Sequence, residues 1–193
     1  SGLIMQAVER DFGFVRVVQV GVNQGYGYVI QQGLLAAHGE CLAVTHADMQ
    51  TNPKDVFKAY DIYRSFIERT PDACPLLVKG VRRGRPWRMT VFSRFLDFIA
   101  LCLLRQIFYE INAQPKVFNR KLLSALTNPP TDIKWDLYLM LKAREIGVRI
   151  ETFPVRFPPR KHGQSSWAFS LRSKMTTILD FLCYMATYDK YAQ

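Results

Sequence analysis

A short apolar run that breaks into a polar turn and resumes as a helix constrains this chain more than any other stretch. Cys41-Leu42-Ala43-Val44-Thr45 suits a strand covered on both faces, and His46, Asp48 and Gln50 follow directly on its carboxyl end. Asn52 and Pro53 then offer an N-cap and a first helical residue. In open α/β sheets, ligands bind beyond the carboxyl ends of the strands. Alternate residues of an extended segment point the same way, so His46, Asp48 and Gln50 can converge on one metal ion or ligand. A surface turn that only caps the next helix fits the same residues.

The flanking sequence repeats the strand-then-helix theme. A helix is predicted over 2–10 and a strand over 14–20, followed by the glycine-rich turn Gly21-Val22-Asn23-Gln24-Gly25-Tyr26-Gly27, which lets a backbone approach a phosphate closely or simply needs positive φ. Helices over 28–38 and 52–69, a buried strand over 76–80, a strongly apolar helix over 91–111, a turn over 111–120 leading to a short helix, an amphipathic helix over 135–146, an edge strand over 148–157 and a helix over 171–188 complete the pattern. Alternation of this kind predicts an α/β fold, a doubly wound, mostly parallel sheet with flanking helices and amphipathic C-terminal helices.

At 193 residues the chain suits a single domain, 1–193. Its 26 basic against 16 acidic residues, a formal charge of +10, favour an anionic partner: nucleic acid, an acidic membrane surface or a phosphorylated substrate. Arg82, Arg83, Arg85 and Arg88 follow directly on a strand end and can hold a phosphate or form a solvated basic loop. They do not track an exposed face with interleaved aromatics, which argues against nucleic acid. Cys41, Cys74, Cys102 and Cys183 lack ligand spacing and are expected as buried free thiols in a reducing compartment. No segment reaches the roughly 18–20 uninterrupted apolar residues of a membrane span. The apolar helices at 88–111 and 170–188 suit either core docking or a bilayer interface.

Five stretches in order, Asn23-Gln24-Gly25-Tyr26-Gly27, Ala37-His38-Gly39-Glu40, His46-Ala47-Asp48-Met49-Gln50, Val78-Lys79-Gly80-Val81-Arg82 and Arg160-Lys161-His162-Gly163-Gln164-Ser165-Ser166-Trp167, resemble family 2 glycosyltransferases. The closest likeness is to the polyprenyl-phosphate, dolichyl-phosphate mannosyltransferase-like branch. The resemblance implies a GT-A fold, a nucleotide-sugar donor, a divalent metal (Mn²⁺ or Mg²⁺) and inversion by direct displacement. It makes Asp48, Gln50 and His46 metal or diphosphate ligands, with Asn23, Gly25, Gly27, Arg160, His162 and Ser165 at the donor. Arg82, Arg83 and Arg88 would hold an acceptor phosphate, and Asp136 stands where a base would serve a sugar-hydroxyl acceptor, unless it is a solvent-facing helix aspartate.

Two departures qualify the likeness. The family's opening strand-helix-strand and acidic turn are missing, so the chain is expected to be N-terminally incomplete. His46 stands where the family usually has an aspartate, and an imidazole suits Mn²⁺ better than Mg²⁺. The expected acceptor is a lipid phosphate at the cytoplasmic, inner face of the membrane, reached by peripheral contact. The alternatives are a sugar hydroxyl in cell-surface polysaccharide synthesis and a non-catalytic basic anion-binding module.

Overall fold

The computed structural model describes residues 2–48, 50–70, 75–85, 87–105, 108–158 and 171–191. Along the chain run α1 (Gly2–Asp11), α2 (Tyr26–Ala36), β1 (Cys41–Val44), α3 (Lys54–Arg69), β2 (Leu76–Arg83), α4 (Trp87–Leu104), β3 (Lys116–Asn119), α5 (Arg120–Ser124), α6 (Trp135–Glu145), β4 (Arg149–Arg156) and α7 (Leu171–Tyr191). The four strands form one sheet in the order β1-β3-β2-β4. β2 and β4 pair parallel, whereas β3 is antiparallel to both β1 and β2. β1, β2 and β4 therefore share one direction, and β4 is the edge strand that its Pro154 suggests.

Alternation along the strands splits the core into two layers. Leu76 and Val78 of β2, with Val117 and Phe153, pack against Ala59 and Tyr63 of α3. Leu77 and Phe118 face the other way, into a larger cluster with Leu34 of α2, α6 from Trp135 to Ala143, and Phe181 and Met185 of α7. α6, expected from the sequence as an amphipathic helix, is instead buried almost all round, as a helix packed between other elements is.

Three sequence expectations are corrected. Residues 14–20 form no strand: Phe14 is exposed, and the Val17 N–H donates to Glu9 Oε1 at 2.8 Å instead of to a neighbouring strand. The segment expected as a turn over 111–120 contains β3, hidden in the sequence by Lys116 at its start, while the short helix expected after it is α5. The thiols are not uniformly buried, because Cys102 and Cys183 lie on the outer faces of α4 and α7 and Cys41 is half-buried; Cys74 lies outside the described residues. α4 and α7 pack on each other and bury Ile99, Ala100, Phe181 and Met185, while Val91, Phe95, Phe98, Met175 and Leu179 stay exposed. Among the described residues, no helix is long and apolar enough to cross a membrane.

Because β3 runs antiparallel, its first residue sits beside the last residues of its neighbours. Lys116 is the register partner of Val44 at the end of β1 and of Lys79 in β2. The carboxyl ends of β1 and β2 and the loop entering β3 thus meet at one edge of the sheet.

Candidate functional site

The polar turn after β1 is internally tied. Asp48 Oδ1 accepts from Gln50 N at 3.1 Å, and Gln50 Nε2 donates to Pro158 O at 3.3 Å, linking the turn to the segment beyond β4. Asn52 Oδ1 accepts from Lys54 N at 3.0 Å, at the start of α3. The His46 ring lies against Tyr26, centroids 6.0 Å apart. Burial pushes its pKa below the ordinary histidine value, although Asp136 and Asp48 pull the other way. The imidazole is therefore neutral at pH 7, with a lone pair to offer.

Asp136, in the first turn of α6, is not a solvent-facing aspartate. Its carboxylate accepts from Lys116 Nζ at 2.5 Å, Gln114 Nε2 at 3.0 Å and the Tyr26 hydroxyl at 3.1 Å, and it is 1% exposed. Burial pushes the Lys116 pKa down, opposed by the Asp136 carboxylate, while burial and then Asp136 push Tyr26 up. The network joins α2, α6 and the loop before β3 directly behind His46.

The arginines at the end of β2 divide. Arg82 donates through Nε to Glu110 Oε2, and Arg85 Nη1 reaches both Glu110 oxygens, at 3.0 and 3.2 Å. Both guanidinium groups stand over the Phe157 ring, 5.3 and 5.7 Å from its centroid. Among the described residues the Nη edge of Arg82 has no hydrogen-bond partner, and its charge reaches both His46 and Lys116. Arg83 is exposed; the Arg88 side chain lies outside the described residues. Beneath this cluster Lys79, fully buried, donates to the carbonyls of Tyr109 and Glu110 at 2.5 and 2.9 Å. Burial, then the neighbouring Lys116 and Arg82 charges, bring its pKa down to about 7.

Asn23, Gly25 and Gly27 have local packing tasks. Asn23 Oδ1 accepts from Gly25 N at 3.0 Å, and Gly25 adopts φ 107°. A Cβ at Gly25 would lie 2.5 Å from Thr131 O, and one at Gly27 would lie 2.3 Å from Pro130 O. The 130–132 loop thus presses on the start of α2 wherever a side chain would stand. Arg160, His162 and Ser165 lie outside the described residues.

Sequence reasoning missed Tyr26, Lys79, Glu110, Gln114 and Lys116. One of them carried a signal: Lys79 lies inside a strand expected to be buried, where a lysine needs a partner, and it finds one at this edge. Glu110 and Gln114 sit in a loop whose pattern gives no such hint.

No protein-family model matches the chain. Uncharacterized glycosyltransferases of Mycobacterium bovis and Mycobacterium tuberculosis are 28% identical to it over 169 residues, 85% of this chain and 73% of theirs. Glucosyl-3-phosphoglycerate synthase of M. tuberculosis, solved with Mn²⁺, UDP and glucosyl-3-phosphoglycerate, superposes with a TM-score of 0.60 at 13% identity, over 93% of this chain and 58% of that one. The same synthase with Mn²⁺, UDP-glucose and phosphoglyceric acid gives 0.57 at 15% over the same shares. This chain therefore spans just over half the length of those solved proteins. The fold is GT-A-like, with a mixed central sheet between helices.

The solved synthases hold a divalent ion, and the donor set of this chain tests whether one fits here. Among the described residues no three His, Cys, Asp or Glu side chains gather to cage a metal. Asp48 and His46 offer one carboxylate and one neutral imidazole. That pair fits an ion that takes its remaining ligands from a bound diphosphate, the usual arrangement where phosphates share the coordination shell.

Proposed function

We propose that this chain, a glycosyltransferase by its relatives and its GT-A-like fold, moves a hexose from a nucleotide sugar to a phosphate-bearing acceptor, a polyprenyl (lipid) phosphate. The observation that carries this reading is Arg82. Its guanidinium is anchored on one edge and, among the described residues, without a hydrogen-bond partner on the other, at the carboxyl end of β2 and within electrostatic reach of His46. A guanidinium fork matches the geometry of a phosphate.

In this reading Asp48 and His46 would hold a divalent ion, which would supply stabilisation of the charge on the departing nucleoside diphosphate. Gln50, tied to Asp48 through its backbone N–H, keeps the turn in place. Asn23, Gly25 and Gly27 would bring backbone close to the donor, and Arg83 would add positive charge beside Arg82 at the acceptor phosphate. The acceptor phosphate oxygen displaces the diphosphate at the anomeric carbon with inversion. A phosphate is already anionic near neutral pH, so it needs no general base. That agrees with an Asp136 whose carboxylate already receives three donors. The exposed apolar residues of α4 and α7 would rest on the bilayer that carries the lipid, on its cytoplasmic side.

A second reading keeps the phosphate and drops the lipid. The solved synthase was crystallised with phosphoglyceric acid and with glycerol 3-phosphate, so a small phosphorylated acceptor fits the same Arg82. Full-length protein incubated with Mn²⁺ and radiolabelled UDP-glucose or GDP-mannose is offered short-chain polyprenyl phosphate, phosphoglyceric acid or an unphosphorylated oligosaccharide. Label in the organic phase only with polyprenyl phosphate supports the first reading, and water-soluble product with phosphoglyceric acid supports the second. Transfer to the oligosaccharide alone would sink both.

A further inference from the structure

Glu110 is held through its backbone and its side chain alike. Its backbone N–H donates to Asp97 Oδ2 at 3.1 Å and its carbonyl accepts from Lys79 Nζ at 2.9 Å. Its carboxylate, 5% exposed, receives Arg82 through Nε and Arg85 through Nη1. The backbone has φ 52°, a left-handed conformation that few residues other than glycine adopt. Side chain and backbone are thus fixed from Asp97 on α4, Lys79 on β2 and the two arginines together.

The consequence falls on Arg82. A guanidinium has two usable edges, and Glu110 occupies the Nε side while Phe157 supports one face of the plane. The Nη edge keeps no hydrogen-bond partner among the described residues, and the side chain is 13% exposed. An arginine on a flexible stem must be ordered before it grips a phosphate, and that ordering costs affinity unless the protein supplies it beforehand.

We propose that Glu110 is a positioning residue for the acceptor's phosphate, holding Arg82 by its Nε edge so that the Nη edge is presented to an oxyanion. The assignment rests on the reading of a phosphate-bearing acceptor. It differs from a place-holder role, in which Glu110 would occupy the anion's own position and leave when the phosphate arrives.

The sign of one substitution separates these roles. Glu110→Gln removes a negative charge beside two arginines, which by electrostatics alone tightens any anion bound there. If Glu110 positions Arg82, the variant instead binds inorganic phosphate about tenfold more weakly, because the fork is no longer aimed. Calorimetric titration of full-length protein with inorganic phosphate reads this directly, and a parallel titration with UDP and Mn²⁺ should be unchanged. Phosphate binding by Glu110→Gln that equals or exceeds the wild type overturns the assignment.

Should Glu110→Gln fail to fold, the wild-type protein labelled with ¹⁵N-arginine supplies the answer. The Arg82 Nε–H resonance, identified by its loss in Arg82→Met, should be protected from exchange before phosphate is added and stay so at saturation. Its collapse toward the free-arginine position on phosphate addition shows the carboxylate displaced and overturns the proposal. Equal phosphate binding by wild type and Arg82→Met removes the anion subsite itself, and with it both this assignment and the reading on which it rests.

Discussion

Lys116 Nζ donates to Asp136 Oδ1 across 2.5 Å, and the two side chains are 0% and 1% exposed. A buried pair of this kind adds little net stability relative to an apolar pair, but losing one partner strands the other charge. Lys116→Met should therefore destabilise the protein by about 3–5 kcal/mol, read as a lower urea midpoint. The double variant Lys116→Met, Asp136→Asn should recover most of that loss, since no charge then remains buried while the amide oxygen introduced on α6 still accepts from Tyr26. A single Lys116→Met variant as stable as wild type would show that the pair is open to water.

Lys79 gives the stability a defined pH dependence. Its pKa falls from 10.5 unfolded to about 7 folded, so between these values the unfolded chain binds the additional proton and stability rises with pH. Below pH 7 the buried lysine is charged in both states and its destabilising effect is fully present. Relative to Lys79→Met, the wild type should therefore gain stability from about pH 7 to pH 10, by an amount on the order of a few kcal/mol. Asp97, pushed up to about 6 chiefly by burial, acts in the opposite sense at lower pH. The folded state holds its proton more tightly there, so its contribution falls as pH rises from about 4 to 6. Urea unfolding of Lys79→Met, Asp97→Asn and wild type across pH 4–10 separates the two windows, and parallel curves for wild type and Lys79→Met above pH 7 would rule out the lysine's part.

The class of fold was legible because its elements obey local rules. α3, α6 and β4 have the periodicity and stop signals that the sequence displays, with Thr70 and Gly147 at the helix ends. β3 was not legible, since four residues beginning with a lysine make a strand only when Asp136, twenty positions on, neutralises that lysine. The reverse error arose at 14–20, where β-branched residues suggested a strand but no neighbour pairs with it. At the candidate site, His46, Asp48 and Arg82 were legible as candidates because turns at strand ends announce themselves. Glu110, Gln114 and Tyr26 act through contacts 22 to 110 residues away in sequence, which no local pattern encodes.

Gly27 separates packing from donor approach. A Cβ there would lie 2.3 Å from Pro130 O and 2.8 Å from Trp135 Cβ, so Gly27→Ala must push the 130–132 loop or α6 aside. The expected cost is about 1–3 kcal/mol, as for other overpacked sites, seen as a lower melting temperature. A glycine needed only to let a nucleotide approach would give a weaker donor KM with no loss of stability, and that result would reverse the packing explanation.

The outer faces of α4 and α7 bear on where the protein works. Val91, Phe95 and Phe98 on one helix, and Met175 and Leu179 on the other, recur at helical spacing and stay exposed, beside a chain carrying +10. Full-length protein should float with vesicles containing anionic lipid, and Phe95→Glu combined with Phe98→Glu should abolish flotation while leaving the melting temperature near wild type. Wild-type protein that stays in the bottom fraction at low salt would remove the membrane from the reading and favour a small soluble acceptor.

In the proposed metal site, His46 would set the choice of metal. Its imidazole is kept neutral by burial, beside Asp48 and against the Tyr26 ring. A nitrogen ligand suits Mn²⁺, whereas Mg²⁺ prefers an all-oxygen shell. Replacing it by a carboxylate, His46→Asp, should shift the ratio of Mn²⁺- to Mg²⁺-supported transfer toward Mg²⁺ by about tenfold. His46→Ala, with one ligand fewer, should weaken both metals without exchanging their order. The comparison is made with saturating donor, so that diphosphate oxygens complete the shell in every variant. A His46→Asp protein with the wild-type metal ratio would place the imidazole outside the coordination sphere, hydrogen-bonded to the diphosphate and no longer a ligand.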